Sequence, residues 1–374
     1  MKKILLSLAA LCCAITGFGQ GNNTREGGHH EQIKSLWELA TKQEKKNDAF
    51  NVYLNYAGSF QEGLNPSSSV FQAKQFRVEV KGSFGDHLTY RFRHRLNRTR
   101  WSGAQEDNFA KATDIMMLGW KFNDKWQVSL GKMCQIWGGF EFDENPMYIY
   151  QYSDFIDYMD NFMTGAMVSW HPVPAHEIAV MVSNSFTTQP AYHGIERSAH
   201  PLTYILNWNG SMFDGMLNTR WSVGTQTMAK NKYSTMLVLG QQLALPKFQV
   251  YLDYMAEFDQ IDRLGIVTED LRINSDVQYH SLIAKANWQF APKWNFMGKG
   301  MYELASVNHE DQLKNYRRSI GWVGSLEYYP WEEQDLRFFV AYIGRHHHFN
   351  QVSGLANGTT NRIEIGFMYR IKAY

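Results

Sequence analysis

The sequence predicts an all-β protein, a closed antiparallel transmembrane β-barrel of about 16 strands with short periplasmic turns and long extracellular loops. Sixteen segments, an even number, show a strand-like alternation of apolar and polar residues. Short and long connections alternate along the chain, as they do in bacterial outer-membrane barrels. Tryptophans collect beside the short connections, where an aromatic girdle meets the membrane interface. A soluble β-sandwich has no reason to sort its loops in this way.

The composition excludes two broad classes of protein. Aromatic residues make up 15% of the 374 residues, yet the mean hydropathy is −0.42. After residue 20 no run approaches 18 apolar residues, so a bundle of membrane helices is excluded. The formal net charge of +1 carries no basic excess for nucleic acid. Strands that are wet on one face and apolar on the other fit this composition.

The N-terminus indicates export. Lys2 and Lys3 precede an apolar run that ends at Phe18, and small residues flank that phenylalanine. This pattern predicts a signal peptide over residues 1–19. A lipoprotein signal in the stretch AALCC is the alternative. The mature chain keeps Cys134 as its single cysteine, which excludes an internal disulfide.

Residues 20–48 form a polar N-terminal segment before the barrel, which we assign to residues 49–374. An apolar face at residues 33, 36, 37 and 40 predicts a short amphipathic helix. The His29-His30-Glu31 cluster fits either a metal site or, as we expect, a solvated tail.

The strand pattern begins with FNVYLNYA and ends with NRIEIGFMYRI, both of which alternate clearly. The segments assigned to strands are 50–57, 75–82, 88–98, 112–122, 126–133, 163–171, 175–183, 202–209, 216–225, 233–242, 247–256, 278–290, 293–304, 318–328, 335–345 and 361–373.

The connections sort by length, with the link over 226–232 as the exception. Every second one is short, such as FGDH, NDK, PVP and ALP. The long connections are 58–74, 99–111, 134–162, 184–201, 257–277, 305–317 and 346–360. The tryptophans near short turns are Trp120, Trp126, Trp170, Trp208, Trp288 and Trp294.

The stretch LTYRFRHRLNR places an arginine at every second position, at Arg91, Arg93 and Arg95. In a barrel of this size one strand face meets lipid and the other lines the lumen. An arginine facing lipid costs about 2–4 kcal/mol near the bilayer midplane, so we expect these three to point inward. The same parity predicts a basic lumen, because rings of Arg and Lys favour anions. The predicted pore-lining residues are Arg77, Arg91, Arg93, Arg95, Arg220, Lys285, Lys299, Arg337, Arg362 and Arg370.

The alternative is that wall arginines pair with wall acids and only hold the barrel in shape. Glu79, on the strand before the three arginines, is the one acid that the sequence suggests as their neighbour.

The connection over 134–162 is rich in acids and aromatic residues and contains no Lys or Arg. We expect this loop to fold into the lumen and narrow it, with its acids facing the wall cations across a constriction. A calcium site and an external partner-binding loop are the alternatives. The predicted constriction-loop acids are Glu141, Asp143, Glu144, Asp154 and Asp157.

The order YRFRHRLNR, then GKMCQIWGGFEFDENPMYIYQYSDF, then TGAMVSWHP resembles the phosphate-selective porin O and P family, in its Bacteroidetes-type form. The resemblance implies a 16-stranded porin, usually trimeric, that passes small anionic solutes passively. It also implies an arginine ladder, which Arg91, Arg93 and Arg95 match. The family's lysine clusters have no counterpart here, and the acidic loop departs from its pattern.

These observations predict an outer-membrane porin for passive diffusion of small hydrophilic solutes, with a preference for anions such as phosphate. The expected partners are outer-membrane lipid, small anionic solutes and two further copies in a homotrimer, with no nucleic acid. We predict no catalytic residue, no metal and no cofactor. A barrel-scaffold receptor or adhesin is one alternative, and an outer-membrane hydrolase is another.

Overall fold

A computed structural model describes residues 33–45, 47–97, 107, 109–185 and 192–374. It confirms the predicted fold class, a closed antiparallel barrel of sixteen strands in which every strand pairs with its neighbours in sequence. The predicted signal peptide and the His29-His30-Glu31 cluster lie outside the described residues. The strands β1 to β16 are Asn51–Asn65, Ser67–Phe84, Leu88–Arg95, Thr113–Lys121, Trp126–Cys134, Phe162–Val173, His176–Asn184, Leu202–Met212, Leu217–Ala229, Lys232–Leu245, Phe248–Asp259, Val277–Ala291, Trp294–Val307, Arg317–Tyr328, Asp335–Phe349 and Gly358–Lys372.

The first and last strands pair with each other and close the barrel. Tyr53 of β1 lies opposite Lys372 of β16, and the pairing continues to Asn65 opposite Asn361. Closure leaves no open edge in the hydrocarbon, where an unpaired backbone group costs several kcal/mol.

Side chains alternate between lipid and lumen as the sequence predicts. On β12, Leu282 and Ala284 are exposed, while Ile283 and Lys285 are buried. Near the short turns Trp126 stacks on Trp170, with ring centroids 5.9 Å apart, and both rings face outward. The aromatic girdle is therefore present at this end of the barrel.

The long loop predicted over 58–74 is wrong. Strand β1 continues to Asn65 and β2 begins at Ser67, so the two strands form one long hairpin with a tight turn. Its distal half is rich in Ser and Gln because it rises beyond the membrane, where both faces are wet. The apolar alternation that identifies a transmembrane strand is lost there. In the other direction, β3 ends at Arg95, before the predicted limit of 98.

Short helices occur only outside the strands in the described residues. The α-helices α1 to α4 are Leu36–Thr41, Phe140–Asp143, Asp154–Asp157 and Ile266–Leu271. The 3₁₀ helices are Pro146–Tyr148, Asp311–Leu313 and Gln351–Ser353. Within the described ranges, none of these helices has the length and apolar character needed to cross a membrane.

Helix α1 docks on the periplasmic rim of the barrel. The backbone N–H of Trp37 donates to the carbonyl of Ala373, at 3.2 Å, and the Trp37 ring meets the Tyr374 ring edge-on at 5.5 Å. Ser35 and Glu38 form a capping box at the start of the helix. Burial alone would raise the pKa of the Glu38 carboxyl, but hydrogen bonds donated by Ser35 and by Lys45 lower it to about 2.

We expect Ser35→Ala to loosen this helix, because loss of an N-cap costs about 1 kcal/mol. Hydrogen–deuterium exchange of peptide 33–45 should then be faster, while Glu44→Gln, which removes an exposed charge outside the cap, should leave it unchanged. Since the folded pKa of Glu38 is depressed, its contribution is complete above about pH 4.5 and is lost as the pH falls towards 2. Equal exchange in both variants would contradict a role for the capping box.

Candidate functional site in the barrel interior

Residues 135–161, which connect β5 to β6, lie inside the barrel, and we call them the inner segment. They include α2, the 3₁₀ helix Pro146–Tyr148 and α3. Trp137 and Met147 of this segment are almost completely buried. Unbranched, polarizable methionines suit the irregular space that remains around such an insertion. The wall methionines in the same apolar cluster are Met117, Met133, Met181, Met236, Met255, Met297, Met301 and Met368.

Two wall carboxylates anchor the short helices of the inner segment. Asp253 on β11 accepts hydrogen bonds from the backbone N–H groups of Phe140 and Glu141, both at 2.8 Å. Glu303 on β13 accepts from the N–H groups of Asp154, at 2.8 Å, and Phe155, at 2.9 Å. The first N–H groups of a helix have no partner within it, so each carboxylate caps a helix that belongs to another part of the chain.

Two glycines on the wall make room for the inner segment. A Cβ atom at Gly240 of β10 would lie 2.9 Å from the Cα of Gly139. A Cβ atom at Gly224 of β9 would lie 2.7 Å from the ring of Trp137. Larger residues at these two inward positions would therefore displace the inner segment.

Most of the predicted loop acids touch wall cations directly. Glu141 pairs with Lys299, Asp143 with Arg220, and Glu144 with Lys285. These contacts replace the expected arrangement of separated charges across a water-filled gap, because the inner segment packs against the wall.

The fourth acid, Asp154, lies between an arginine of β14 and an arginine of β15. It pairs with Arg317, at 3.0 Å, and also with Arg345. Asp157 is exposed. On this side of the lumen five Arg and Lys side chains therefore face four acids of the inner segment and the wall carboxylates Asp253 and Glu303, so the carboxylates outnumber these cations.

Two arginines of β3 and one of β2 share an acid that the sequence did not single out. Asp114 of β4 lies 2.7 Å from Arg95 and 3.3 Å from both Arg93 and Arg77. The β3–β4 register shifts at this point and leaves Asp114 unpaired, which is a β-bulge. Strict alternation of faces along β4 would place residue 114 on the lipid face with Met116. The sequence pattern therefore could not identify Asp114 as an inward-facing acid.

Glu79 on β2 holds a second group of cations. Arg91 lies 2.8 Å from its carboxylate and Arg370 of β16 lies 3.7 Å away. Lys81 interacts electrostatically with the same acid. With the three arginines around Asp114, this wall carries six cations against two carboxylates. We call these six cations and two carboxylates the basic wall.

The two remaining predicted basic residues are also paired. Arg337 lies 3.1 Å from Glu327, which accepts a hydrogen bond from Tyr150 of the inner segment at 2.6 Å. Arg362 lies 2.7 Å from Glu364 and keeps 30% of its side chain exposed. The structure therefore brings all ten predicted basic residues into contact with acids. The ratio of cations to carboxylates is higher at the basic wall than on the side that faces the acids of the inner segment.

The three consecutive histidines of β15 are split between faces, since His346 contacts the outward Thr359 and His347 points inward near Asp154. No group of three His, Cys, Asp or Glu side chains suited to a metal occurs in the described ranges. Cys134 is buried.

The family model for phosphate-selective porin O and P matches residues 50–371, which is most of the chain and the whole barrel. The chain belongs to this family. It is an outer-membrane channel protein. Both its family and its fold are those of a porin rather than an enzyme. No curated protein matches the sequence.

Solved structures show that this porin shares its fold with distantly related outer-membrane proteins. The outer-membrane channel DcaP of Acinetobacter baumannii aligns with a TM-score of 0.61 at 11% identity, over 88% of this chain and 99% of that one. OmpT of Vibrio cholerae, in a trimer form, gives 0.55 at 13% identity, over 87% and 100%. An anion-selective porin from Comamonas acidovorans gives 0.53 at 9% identity, over 86% and 98%.

Proposed function

We propose that this porin passes small anions by diffusion along the basic wall, between that wall and the inner segment. The observation that carries the proposal is the uneven distribution of charge. The basic wall has six cations for two carboxylates. On the other side, five Arg and Lys side chains pair with four acids of the inner segment, and the wall adds the carboxylates Asp253 and Glu303. A positive surface in a confined aqueous space attracts anions and repels cations.

Aromatic rings hold the basic side chains in place. The guanidinium groups of Arg93 and Arg95 lie over the ring of Phe162, at 5.2 and 5.8 Å from its centroid. Arg370 lies 4.1 Å from the centroid of Tyr53. Such contacts restrain the cations without neutralising them. Arg93 and Arg370 are buried, whereas Arg95 keeps 21% of its side chain exposed and is the one of the three that a passing solute reaches directly.

Single-channel conductance in planar bilayers, with the reversal potential measured under a KCl gradient, tests this proposal. We expect an anion-selective channel. Replacing Arg91, Arg93 and Arg95 by alanine should lower the ratio of anion to cation permeability and weaken block of the chloride current by phosphate.

The matched control removes three cations that face the inner segment, as Arg220→Gln, Lys285→Gln and Lys299→Gln. The same variant also carries Asp143→Asn, Glu144→Gln and Glu141→Gln, which remove the partners of these cations. Because the net charge is then unchanged, selectivity should move by less than in the first variant. An open channel that prefers cations in the unmodified protein would reject the anion pathway and leave the porin assignment intact.

A barrel-scaffold receptor is the second candidate function, and the extent of the inner segment favours it. The segment leaves β5, passes beside β9 at Gly138, and reaches β15 through a hydrogen bond from Tyr148 to Asp335. Lys74 of β2 contacts the carbonyl of Tyr150, at 3.4 Å. A folded barrel that gives no conductance would support the receptor function and contradict the proposal of anion diffusion.

We also propose that the working unit is a homotrimer. The family resemblance implies this state, and a trimer form is recorded for the structurally similar OmpT of Vibrio cholerae. Mass measurement of the protein extracted in mild detergent tests it, because a monomer mass would contradict the proposal.

A further inference from the structure

The outer surface of strands β12 to β15 carries three polar side chains and one leucine in a row at its extracellular end. His280 lies opposite Leu304, Leu304 opposite Arg318, and Arg318 opposite His348. All four positions share the outward face with exposed apolar residues such as Leu282 and Ile320. Neighbouring strands are about 4.8 Å apart, so the row spans about 14 Å. Arg318 places a positive charge on this part of the lipid-facing surface, unlike the apolar belt below it.

Arg318 is the central residue of the row. Its side chain is exposed on β14, and the guanidinium has no hydrogen bond or ion pair with any residue that the structure describes. An arginine on the lipid face is costly at the midplane and costs about 0–1 kcal/mol only near the interface. A guanidinium at that depth is best satisfied by a phosphate, which it binds with two parallel hydrogen bonds.

A pocket of about 560 Å³ opens beside this row, beneath the loop between β13 and β14. Polar groups line its upper part, among them Lys314, whose ammonium lies 2.5 Å from Asp311. Tyr254 donates or accepts a 2.8 Å hydrogen bond with His280 at its side. Leu282, Tyr302 and Leu304 form the apolar part. The pocket therefore offers donors near the rim and hydrocarbon towards the membrane.

Below the pocket the outer surface is shallow. Ala284 lies opposite Gly300, Ala286 opposite Gly298, and Gly298 opposite Gly324. A Cβ atom added at Gly300 or Gly324 would meet nothing within 4 Å, and one added at Gly298 would meet only the ring of Phe296, at 3.6 Å. The strip begins four to six residues below the polar row, or about 13 to 20 Å along the strand. It forms a trough at the depth of the acyl chains.

We propose that this surface binds a phosphorylated, multiply acylated lipid of the outer leaflet. A headgroup phosphate lies against Arg318 and Lys314, the pocket receives the sugar or glycerol part, and one acyl chain follows the trough over Gly300 and Gly298. Because the pocket and the trough both face the membrane, the occupant is a lipid and not a solute of the lumen. The guanidinium of Arg318 matches the phosphate, and the small residues match a chain that needs a flat surface.

Native mass spectrometry of the refolded barrel in detergent tests this proposal, with bis-phosphorylated lipid A as the probe and its dephosphorylated form as the comparison. We expect the phosphorylated lipid to bind at least about ten-fold more tightly, and Arg318→Gln to remove most of that difference. The matched control Lys232→Gln removes an exposed rim cation on β10, outside the row, and should change nothing. Electrophoretic mobility before and after heating verifies that each variant is folded.

Gly300→Leu tests the trough separately, because a side chain there fills open space on the outer face. It should weaken both lipid forms by a similar factor, about ten-fold or less, without affecting barrel folding. Equal binding of the two lipid forms, equal effects of Arg318→Gln and Lys232→Gln, or complete displacement of lipid by inorganic phosphate would each overturn the proposal.

Discussion

Replacing Asp253 and Glu303 together with alanine is expected to release the inner segment from the wall and to raise channel conductance. Each carboxylate caps two backbone N–H groups at 2.8–2.9 Å. A hydrogen bond to a charged group contributes about 1.5–3 kcal/mol, so the double variant loses the main polar anchors of α2 and α3. The apolar cluster still packs the inner segment against the wall, so we expect the segment to leave the wall only transiently.

The measurement is the single-channel record together with limited proteolysis. We expect larger and noisier current steps, and new cleavage within 135–161, while the barrel itself stays resistant. Glu177→Ala is the matched control. This inward wall carboxylate accepts a hydrogen bond from the side-chain amide of Asn209 and lies away from the inner segment. A double variant with unchanged current and unchanged cleavage would show that apolar packing alone holds the segment.

Asp114→Asn is expected to increase anion preference and to destabilise the barrel. The side chain keeps an oxygen near the three guanidinium groups of Arg77, Arg93 and Arg95 but loses its charge. Removing one partner from a buried ionic network costs about 3–5 kcal/mol, because the remaining charges are left uncompensated. The same excess of positive charge raises the local concentration of anions at the basic wall.

The reversal potential under a KCl gradient and the midpoint of unfolding in guanidinium chloride measure the two effects. Glu177→Gln removes an inward charge outside the basic wall and should change both quantities less. If Asp114→Asn left selectivity and stability unchanged, the three arginines would not depend on this carboxylate, and the basic wall would not set the permeant ion.

The sequence by itself determined the strands, their number and their facing. Period-two alternation identifies a half-buried strand, and the cost of an arginine against hydrocarbon fixes which face of LTYRFRHR meets the lumen. The alternation of short and long connections indicates that each strand pairs with its neighbours in sequence, because an antiparallel meander needs no crossover connection. The family motifs then identified the channel, and the match over 50–371 agrees.

Only the tertiary structure decided which charges meet. A β-bulge turns Asp114 inward, and such an irregularity leaves no mark in an alternating pattern. The inner segment contacts strands far away in sequence, so the pairs Lys299–Glu141 and Lys285–Glu144 could not be assigned from spacing. The extension of β1 and β2 above the membrane was missed because a strand that is wet on both faces carries no apolar signal. Alternation specifies a face locally, whereas ion pairing depends on distances that closure of the barrel sets.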